Sequence, residues 1–253
     1  MKEALAPIFR PRPDRPMHLA VFGSGSGTTL DAVLSASAST FRIVQLFSDR
    51  SCRLQEIGKR ESIPHLLLSP KQFPTRTAFD EEIVRQLDPS IDLILLAGYM
   101  RLVSLPLLQH FKDRIVNTHP ADLGALTTEG KRKYIGADAV RMALEAGETR
   151  TRSCVILIDE GVDQGPVLVS GPWAAYENGS SASQHQQKQK QLSDYPACIA
   201  AIHWIAEGRI ALDPKRRVYF DQKLQAPCGV DIDKGGEFYV RYHRHHWTGA
   251  GIG

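Results

Sequence analysis

Residues 91–100 read IDLILLAGYM, an apolar run broken only by Asp92 and Gly98 before the chain turns polar. A strand this uniformly apolar has no face to offer water, so it belongs in a sheet covered on both sides. The neighbouring sequence supplies the covers. HLAVF (18–22), FRIVQLFSD (41–49), PHLLLSP (64–70) and IVNTHP (115–120) read as further strands. Between them, the segment following GSGSG with Leu30, Val33 and Leu34 on one face, CRLQEIGKRESI, TRTAFDEEIVRQLDPS and PLLQHFKDR read as helices. In the third of these helices the acidic residues fall early, where the helix dipole favours them. Strict β-α alternation of this kind predicts an α/β fold, a doubly wound, mostly parallel open sheet of Rossmann-like type. The 253 residues suit one large domain with a sizeable core, with or without a small appendage.

Beyond His119 the pattern loosens. ADLGALTTEGKRKYIG (121–136) reads as a loop, ADAVRMALEAGE as a helix ended by Gly147, and TRSCVILIDEG and GPVLVSGPW as strands joined through VDQG. The segment 181–208 reads as one long helix or two broken near Pro196, and RRVYFDQK as a hairpin. The expected division is an N-terminal arm (1–17), loose or draped on the surface, a main domain (18–212) and a C-terminal extension (213–253). A formal charge of +3 argues against a nucleic-acid or membrane partner and is compatible with anionic small molecules. Four scattered cysteines, no signal-like opening and no apolar run near the ~18 residues of a membrane helix give a soluble, cytoplasmic expectation. A monomer or homodimer is expected.

Three stretches could carry chemistry. GSGSGTTL, between the first strand and its helix, offers backbone N–H groups at a helix N-terminus, which suits a phosphate monoester. No Lys follows, which excludes a nucleoside triphosphate loop; Leu30 replaces the third glycine of a dinucleotide fingerprint, although Asp49 stands where a ribose-binding acid would lie. Asn117 and His119 share one side of a strand end, where open α/β sheets bind ligands, and an amide there can donate to a developing oxyanion. Asp163 sits in a turn between Gly161 and Gly165; it either bonds its own backbone or orients and charges His119, and spacing alone does not decide. With no Ser or Cys nucleophile beside them, these groups suit direct transfer better than a covalent intermediate.

NTHP followed by VDQGP, with LLAGYMRLVS before them and the Gly/Ser loop after the first strand, resembles the folate-dependent formyltransferases. The resemblance covers about 18–212 and lies closest to the members that formylate glycinamide ribonucleotide in purine biosynthesis. It implies transfer of the formyl group of 10-formyltetrahydrofolate to an amine, with no metal. Asn117 would hydrogen-bond the formyl oxygen, His119 would stabilise it or shuttle the proton, and Asp163 would orient His119. The folate would lie against the backbone of Met100, Arg101, Leu102 and Val103 and the loop Asp159, Glu160, Gly161, Val162; the substrate phosphate would sit on Gly27, Thr28 and Thr29.

The chain departs from that pattern in three places. The loop after His119 is long and lacks the usual Ser and Pro; Gln191 stands where a Glu precedes Tyr-Pro and is the candidate acceptor contact, the acceptor-binding carboxylate being lost; Thr29 replaces Asn. The charges Glu129, Lys131, Arg132 and Lys133 read as a solvated insertion, and the terminal HRHHW as a tail that binds no metal. Alternatives are the same chemistry on an amino sugar or amino acid derivative, a 10-formyltetrahydrofolate hydrolase, and a non-catalytic folate- or nucleotide-binding module. The short stretch before His18 argues against a hydrolase with a regulatory domain, and the lack of a basic C-terminal barrel against a tRNA formyltransferase.

Overall fold

The structure, a computed structural model, describes residues 4–36 and 39–234. In chain order the elements are β1 (Ala6–Pro7), β2 (Met17–Phe22), α1 (Thr28–Ser35), β3 (Phe41–Ser48), α2 (Leu54–Glu61), β4 (His65–Leu67), α3 (Arg76–Gln86) and β5 (Leu93–Leu96). There follow α4 (Leu105–His110), β6 (Ile115–His119), α5 (Ala139–Glu145), β7 (Arg150–Thr151), β8 (Cys154–Leu157), β9 (Val167–Ser170) and β10 (Ala174–Ala175). The chain closes with α6 (Ala182–Gln189), α7 (Tyr195–Ala206), β11 (Ile210–Leu212), β12 (Val218–Phe220), β13 (Lys223–Leu224) and β14 (Val230–Asp231).

The main sheet has eight strands in the order β14-β9-β8-β6-β5-β2-β3-β4. Only β8 runs against the others, pairing antiparallel with both β6 and β9. The sheet is therefore mostly parallel, as the apolar run of 91–100 requires. Alternate residues of each central strand feed opposite faces. Met17, Leu19, Val21, Leu93 and Leu95 join a core with α1, α2 and α7, while Ala20, Phe22, Ile94 and Leu96 join a second core with Phe79 and Ile83 of α3 and Leu107 of α4. The strand order reverses between β2 and β5, which opens a crevice at their carboxyl ends.

Several elements differ from their sequence-based expectation. Residues 4–16 are not a loose arm: β1 pairs antiparallel with β11, and Ile8 and Phe9 enter the core. Arg15 grips Asp92 at 2.5 and 3.0 Å, and the same carboxylate accepts the His18 N–H at 2.8 Å. Residues 213–234 are built into the fold as well. β11, β12 and β13 form a small sheet with β1, and β14 adds a parallel edge strand to β9. Buried Arg152 ties that edge to the site loop, with Asp122 and Asp231 each at 3.1 Å. The terminal HRHHW lies outside the described residues.

The stretch TRSCVILI divides into β7, which pairs with β10, and β8 of the main sheet, because Arg152 turns away to meet its two carboxylates. The long helix is neither uniform nor broken at Pro196. It passes from α6 to α7 through a π-helical segment, Lys190–Asp194. Pro196 lacks the N–H that would close a regular α-turn, and the wider π turn absorbs the mismatch without ending the helix. In α3 no acid lies in the first turn. Asp80 is instead buried, accepting the Ser104 N–H and hydroxyl at 2.6 Å each, which pins the segment after β5 to α3.

Burial alone would raise the Asp92 carboxyl, but hydrogen bonds from Arg15 and the His18 N–H, with the Arg15 and Arg12 charges, outweigh it and hold it below its ordinary value. Its contribution to stability is therefore complete above the unfolded carboxylate value of ~3.9 and is lost as pH falls through the lower folded value. Asp92→Asn is expected to cost about 1–3 kcal/mol at pH 7 and much less near pH 3, as read from urea unfolding at the two pH values.

Candidate active site

The loop after β2 and the loop after β5 meet at the crevice. The Ser24 N–H donates to the Gly98 carbonyl at 3.2 Å, and the Met100 N–H donates to the Ser24 hydroxyl at 3.2 Å. Gly27 caps α1 in the left-handed region (φ 67°), and a Cβ there would stand 2.7 Å from Cδ1 of buried Ile57. No side chain caps α1, so the N–H groups at its start, at Thr28 and Thr29, face outward from a fixed turn. The Tyr195 hydroxyl reaches Thr28 from the other side. Asp49 is not available to a ribose: it accepts from Arg50 at 2.8 Å, bonds Ser24 and faces Arg101 at 3.9 Å. The dinucleotide reading loses its acid.

Below the Asp49–Arg101 contact lies a cavity of about 340 Å³ lined by Pro70, Phe73, Pro74, Thr75, Arg76, Phe79, Met100, Arg101 and Leu102. The Arg101 guanidinium sits 5.8 Å over the Phe79 ring. Two arginines above aromatic and proline walls suit an aromatic ligand carrying a carboxylate. Arg76 gave no sequence signal, since it reads as the first residue of an amphipathic helix. Met100 and Leu102 are exposed apolar side chains on this rim, and Val103 is packed against the core; Val162, in the 159–163 loop, is exposed as well.

β6 pairs with β5 so that Asn117 lies opposite Leu96, one strand from the crevice. The Asn117 side chain is half-buried and has no hydrogen-bond partner among the described residues. His119, 2% exposed, is brought beside Asp163 as required: Nδ1 and the carboxylate Oδ2 are 3.3 Å apart. Nε2 donates to the Tyr134 carbonyl at 2.7 Å. Asp163 holds φ 52°, a left-handed conformation, and its Oδ2 also accepts the Gly136 N–H at 2.8 Å. Burial is the largest influence on His119 and pushes it below the ordinary imidazole value; Asp163, the Tyr134 carbonyl and Asp194 oppose this, and Arg132 reinforces it. Burial thus favours the neutral ring, while the carboxylate facing Nδ1 favours the protonated one.

One expectation for this region is corrected. The loop 121–136 is not simply a solvated insertion. It folds into a small hairpin about a Leu126–Arg132 bridge, with Glu129, Lys131 and Lys133 outside and Arg132 half-buried, donating to the carbonyls of Asp163 and Gly165. A run of charges looks solvated because sequence carries no record of which side chain the hairpin turns inward. Gln191 is exposed on the π segment, with no contact into the site among the described residues. The π turn instead buries Asp194, whose charge is felt by His119. A carboxylate thus does stand behind the site, one turn later than the sequence pattern predicts.

A buried polar chain supports the strand end. His185 donates to Thr151 at 2.7 Å, and Thr151 donates to Gln189. Gln189 donates to the Pro120 carbonyl at 2.9 Å and to Ser153 at 2.8 Å, and Ser153 donates to Asp194. Burial raises the Asp194 carboxyl against the opposing Ser153 bond, the Lys190 charge and the Gln189 bond. Gln189 thereby fixes the direction in which the chain leaves His119. Among the described residues no three His, Cys, Asp or Glu side chains converge as metal ligands, and no helix is long and apolar enough to cross a membrane.

Fold and site together define an α/β protein with its candidate site at the carboxyl ends of β2, β5 and β6. The Formyl transferase family profile matches residues 17–195. Phosphoribosylglycinamide formyltransferase of Mycobacterium tuberculosis is 32% identical over 200 residues, covering 77% of this chain and 88% of that protein. The trifunctional purine biosynthetic protein adenosine-3 of Drosophila melanogaster is 30% identical over 208 residues; the match covers 79% of this chain and only 15% of that protein. Among solved structures, the phosphoribosylglycinamide formyltransferase of Coxiella burnetii superposes with a TM-score of 0.75 at 26% identity, covering 86% of this chain and 99% of that one. Glycinamide ribonucleotide transformylase 1 of Symbiobacterium toebii gives 0.73 at 32% identity, covering 81% and 94%. The chain belongs to the formyl transferase family.

Gln189→Leu keeps the volume but leaves the Pro120 carbonyl without this donor, the Thr151 proton without its acceptor and Ser153 with one bond fewer. A loss of about 2–4 kcal/mol in urea unfolding is expected.

Proposed function

We propose that this chain transfers the formyl group of 10-formyltetrahydrofolate to the amino group of glycinamide ribonucleotide. The observation that carries the reading is one strand end holding an unpartnered amide, Asn117, beside a buried imidazole apposed to a carboxylate. The names of the relatives support the acceptor. The cavity with Arg76 and Arg101 suits the aminobenzoyl and glutamate portion of a folate, with Met100, Arg101, Leu102, Val103 and the 159–162 loop around the pterin. The turn Gly27, Thr28 and Thr29 takes the acceptor phosphate on its uncapped N–H groups.

The amine attacks the formyl carbon, and the carbonyl electron pair moves onto oxygen. Asn117 donates to that oxygen as charge develops, a contribution worth on the order of a hundredfold in rate. The attacking nitrogen must lose a proton and the leaving folate nitrogen must gain one. The Asp163 side chain is 11% exposed and the His119 side chain 3%, so the proton enters the pair through Asp163 and rests on Nδ1 of His119. The imidazolium so formed is paired with Asp163 and backed by Asp194, and it returns the proton as the C–N bond to the folate breaks.

Asn117→Ala and His119→Ala are each expected to lower kcat by on the order of a hundredfold or more, Asn117→Ala with an unfolding midpoint close to the parent's and His119→Ala with a lower one, since it strands the buried Tyr134 carbonyl. Full activity in either variant sinks the catalytic assignment. Because His119 must be neutral to accept a proton and burial lowers its pKa, kcat should fall on the acid side with a midpoint below the free imidazole value of ~6.5. A panel of amines tests the acceptor separately: turnover of another amine with none of glycinamide ribonucleotide would keep the chemistry and replace the substrate.

A further inference from the structure

Three residues of the site loop, all within Arg132–Gly136, reach the His119–Asp163 pair. Arg132 donates to the carbonyls of Asp163 and, at 2.9 Å, Gly165; the Tyr134 carbonyl accepts from Nε2 of His119 at 2.7 Å; the Gly136 N–H donates to Asp163 Oδ2 at 2.8 Å. Lys131 and Lys133, between and beside them, point to solvent. The hairpin about Leu126 and Arg132 thus lays its inward edge along the catalytic pair.

We propose that Arg132 is a positioning residue of this centre: its guanidinium clamps the Asp163 and Gly165 carbonyls so that the Asp163 carboxylate is held against Nδ1 of His119. This rests on the formyl-transfer reading for its kinetic consequence but not for its geometry. Asp163 adopts φ 52°, a left-handed turn conformation that Asp tolerates better than most residues, and contacts on both sides hold it there. Arg132 supplies that constraint on one side. On the other, Gly165 is pressed so close to β8 that a Cβ would stand 1.8 Å from the Leu157 carbonyl oxygen. The planar guanidinium presents its donors to the two carbonyls in a fixed fork, whereas an ammonium would have to reach them from a flexible stem.

The same contact orders the ring. A carbonyl only accepts, so the Tyr134 bond places the proton on Nε2 and leaves the Nδ1 lone pair facing Asp163. In that state Nδ1 and Oδ2 are apposed at 3.3 Å, waiting for the proton that would join them. Arg132 also acts through its charge. The groups facing His119 are Asp163 and Asp194, which favour its protonation, and Arg132, which opposes it. Removing the guanidinium therefore raises the pH at which His119 protonates.

The tests are Arg132→Met, Arg132→Gln and Arg132→Lys in the full chain, each read by unfolding midpoint, kcat, KM for both substrates and the pH profile. Arg132→Met and Arg132→Gln are expected to lower kcat ten- to a hundredfold, with KM for the folate changed less than threefold, and to move the acid limb of kcat upward. Arg132→Lys keeps the charge, so the limb stays in place and part of the lost kcat returns. If Arg132→Met or Arg132→Gln folds and keeps kcat within twofold with an unmoved limb, the proposal fails. It also fails if Arg132→Lys is no better than Arg132→Met. A substrate-free measurement stands apart from activity: imidazole 15N spectra of the parent protein, with His119 assigned from His119→Asn, should show the proton on Nε2. A proton on Nδ1 with Nε2 bare overturns the geometry, whatever acceptor the enzyme uses.

Discussion

Taking His119 out of water is the step to which the surrounding structure answers. An imidazole this deeply buried needs something for each nitrogen to face, and the two sides are met by different parts of the chain. The Tyr134 carbonyl takes Nε2 from the loop that follows the strand; Asp163 faces Nδ1 from the turn between β8 and β9. Neither segment is regular structure, so each is itself held. Gln189 fixes the chain at Pro120, Arg132 fixes the turn at Asp163 and Gly165, and Arg152 anchors Asp122 to the edge strand. The rest of the fold supplies rigid ends for these ties.

The sheet makes that rigidity inexpensive. β5 is apolar along its length and β6 only over Ile115 and Val116, so the polar groups of β6 are concentrated where the strand ends. The crevice between β2 and β5 then gathers the uncapped start of α1, the arginine-lined cavity and the His119 centre along one edge. A phosphate, an aromatic carboxylate and a reacting carbonyl can each find a complement there without any group being carried on a long mobile loop.

How much of this could be read in advance follows from the range of the forces involved. The strands of the parallel sheet and their helices were legible because hydrophobic period and turn residues act locally, as in 91–100 and in the Gly/Ser loop. Asn117 and His119 share a strand, so strand alternation alone puts them on one side. The His119–Asp163 contact was legible only as one of two choices, since it joins residues distant in sequence. Arg132, Asp194 and Gln189 were not legible. Each is an ordinary polar residue whose role depends on a hairpin turning inward or a helix widening to π geometry, and neither event leaves a periodic trace. The N-terminal arm misled for the same reason: Ile8 and Phe9 find their partners across the chain, on β11 and α7.

Membership of the formyl transferase family and a centre with no side-chain nucleophile converge on direct transfer between two bound substrates. The most direct test follows the carbon. With donor labelled in the formyl group and glycinamide ribonucleotide as acceptor, label should appear in the formylated amine at one equivalent for each tetrahydrofolate released, with no free formate. Formate released in place of formylated amine would contradict the account, as would tetrahydrofolate formation that is independent of the acceptor.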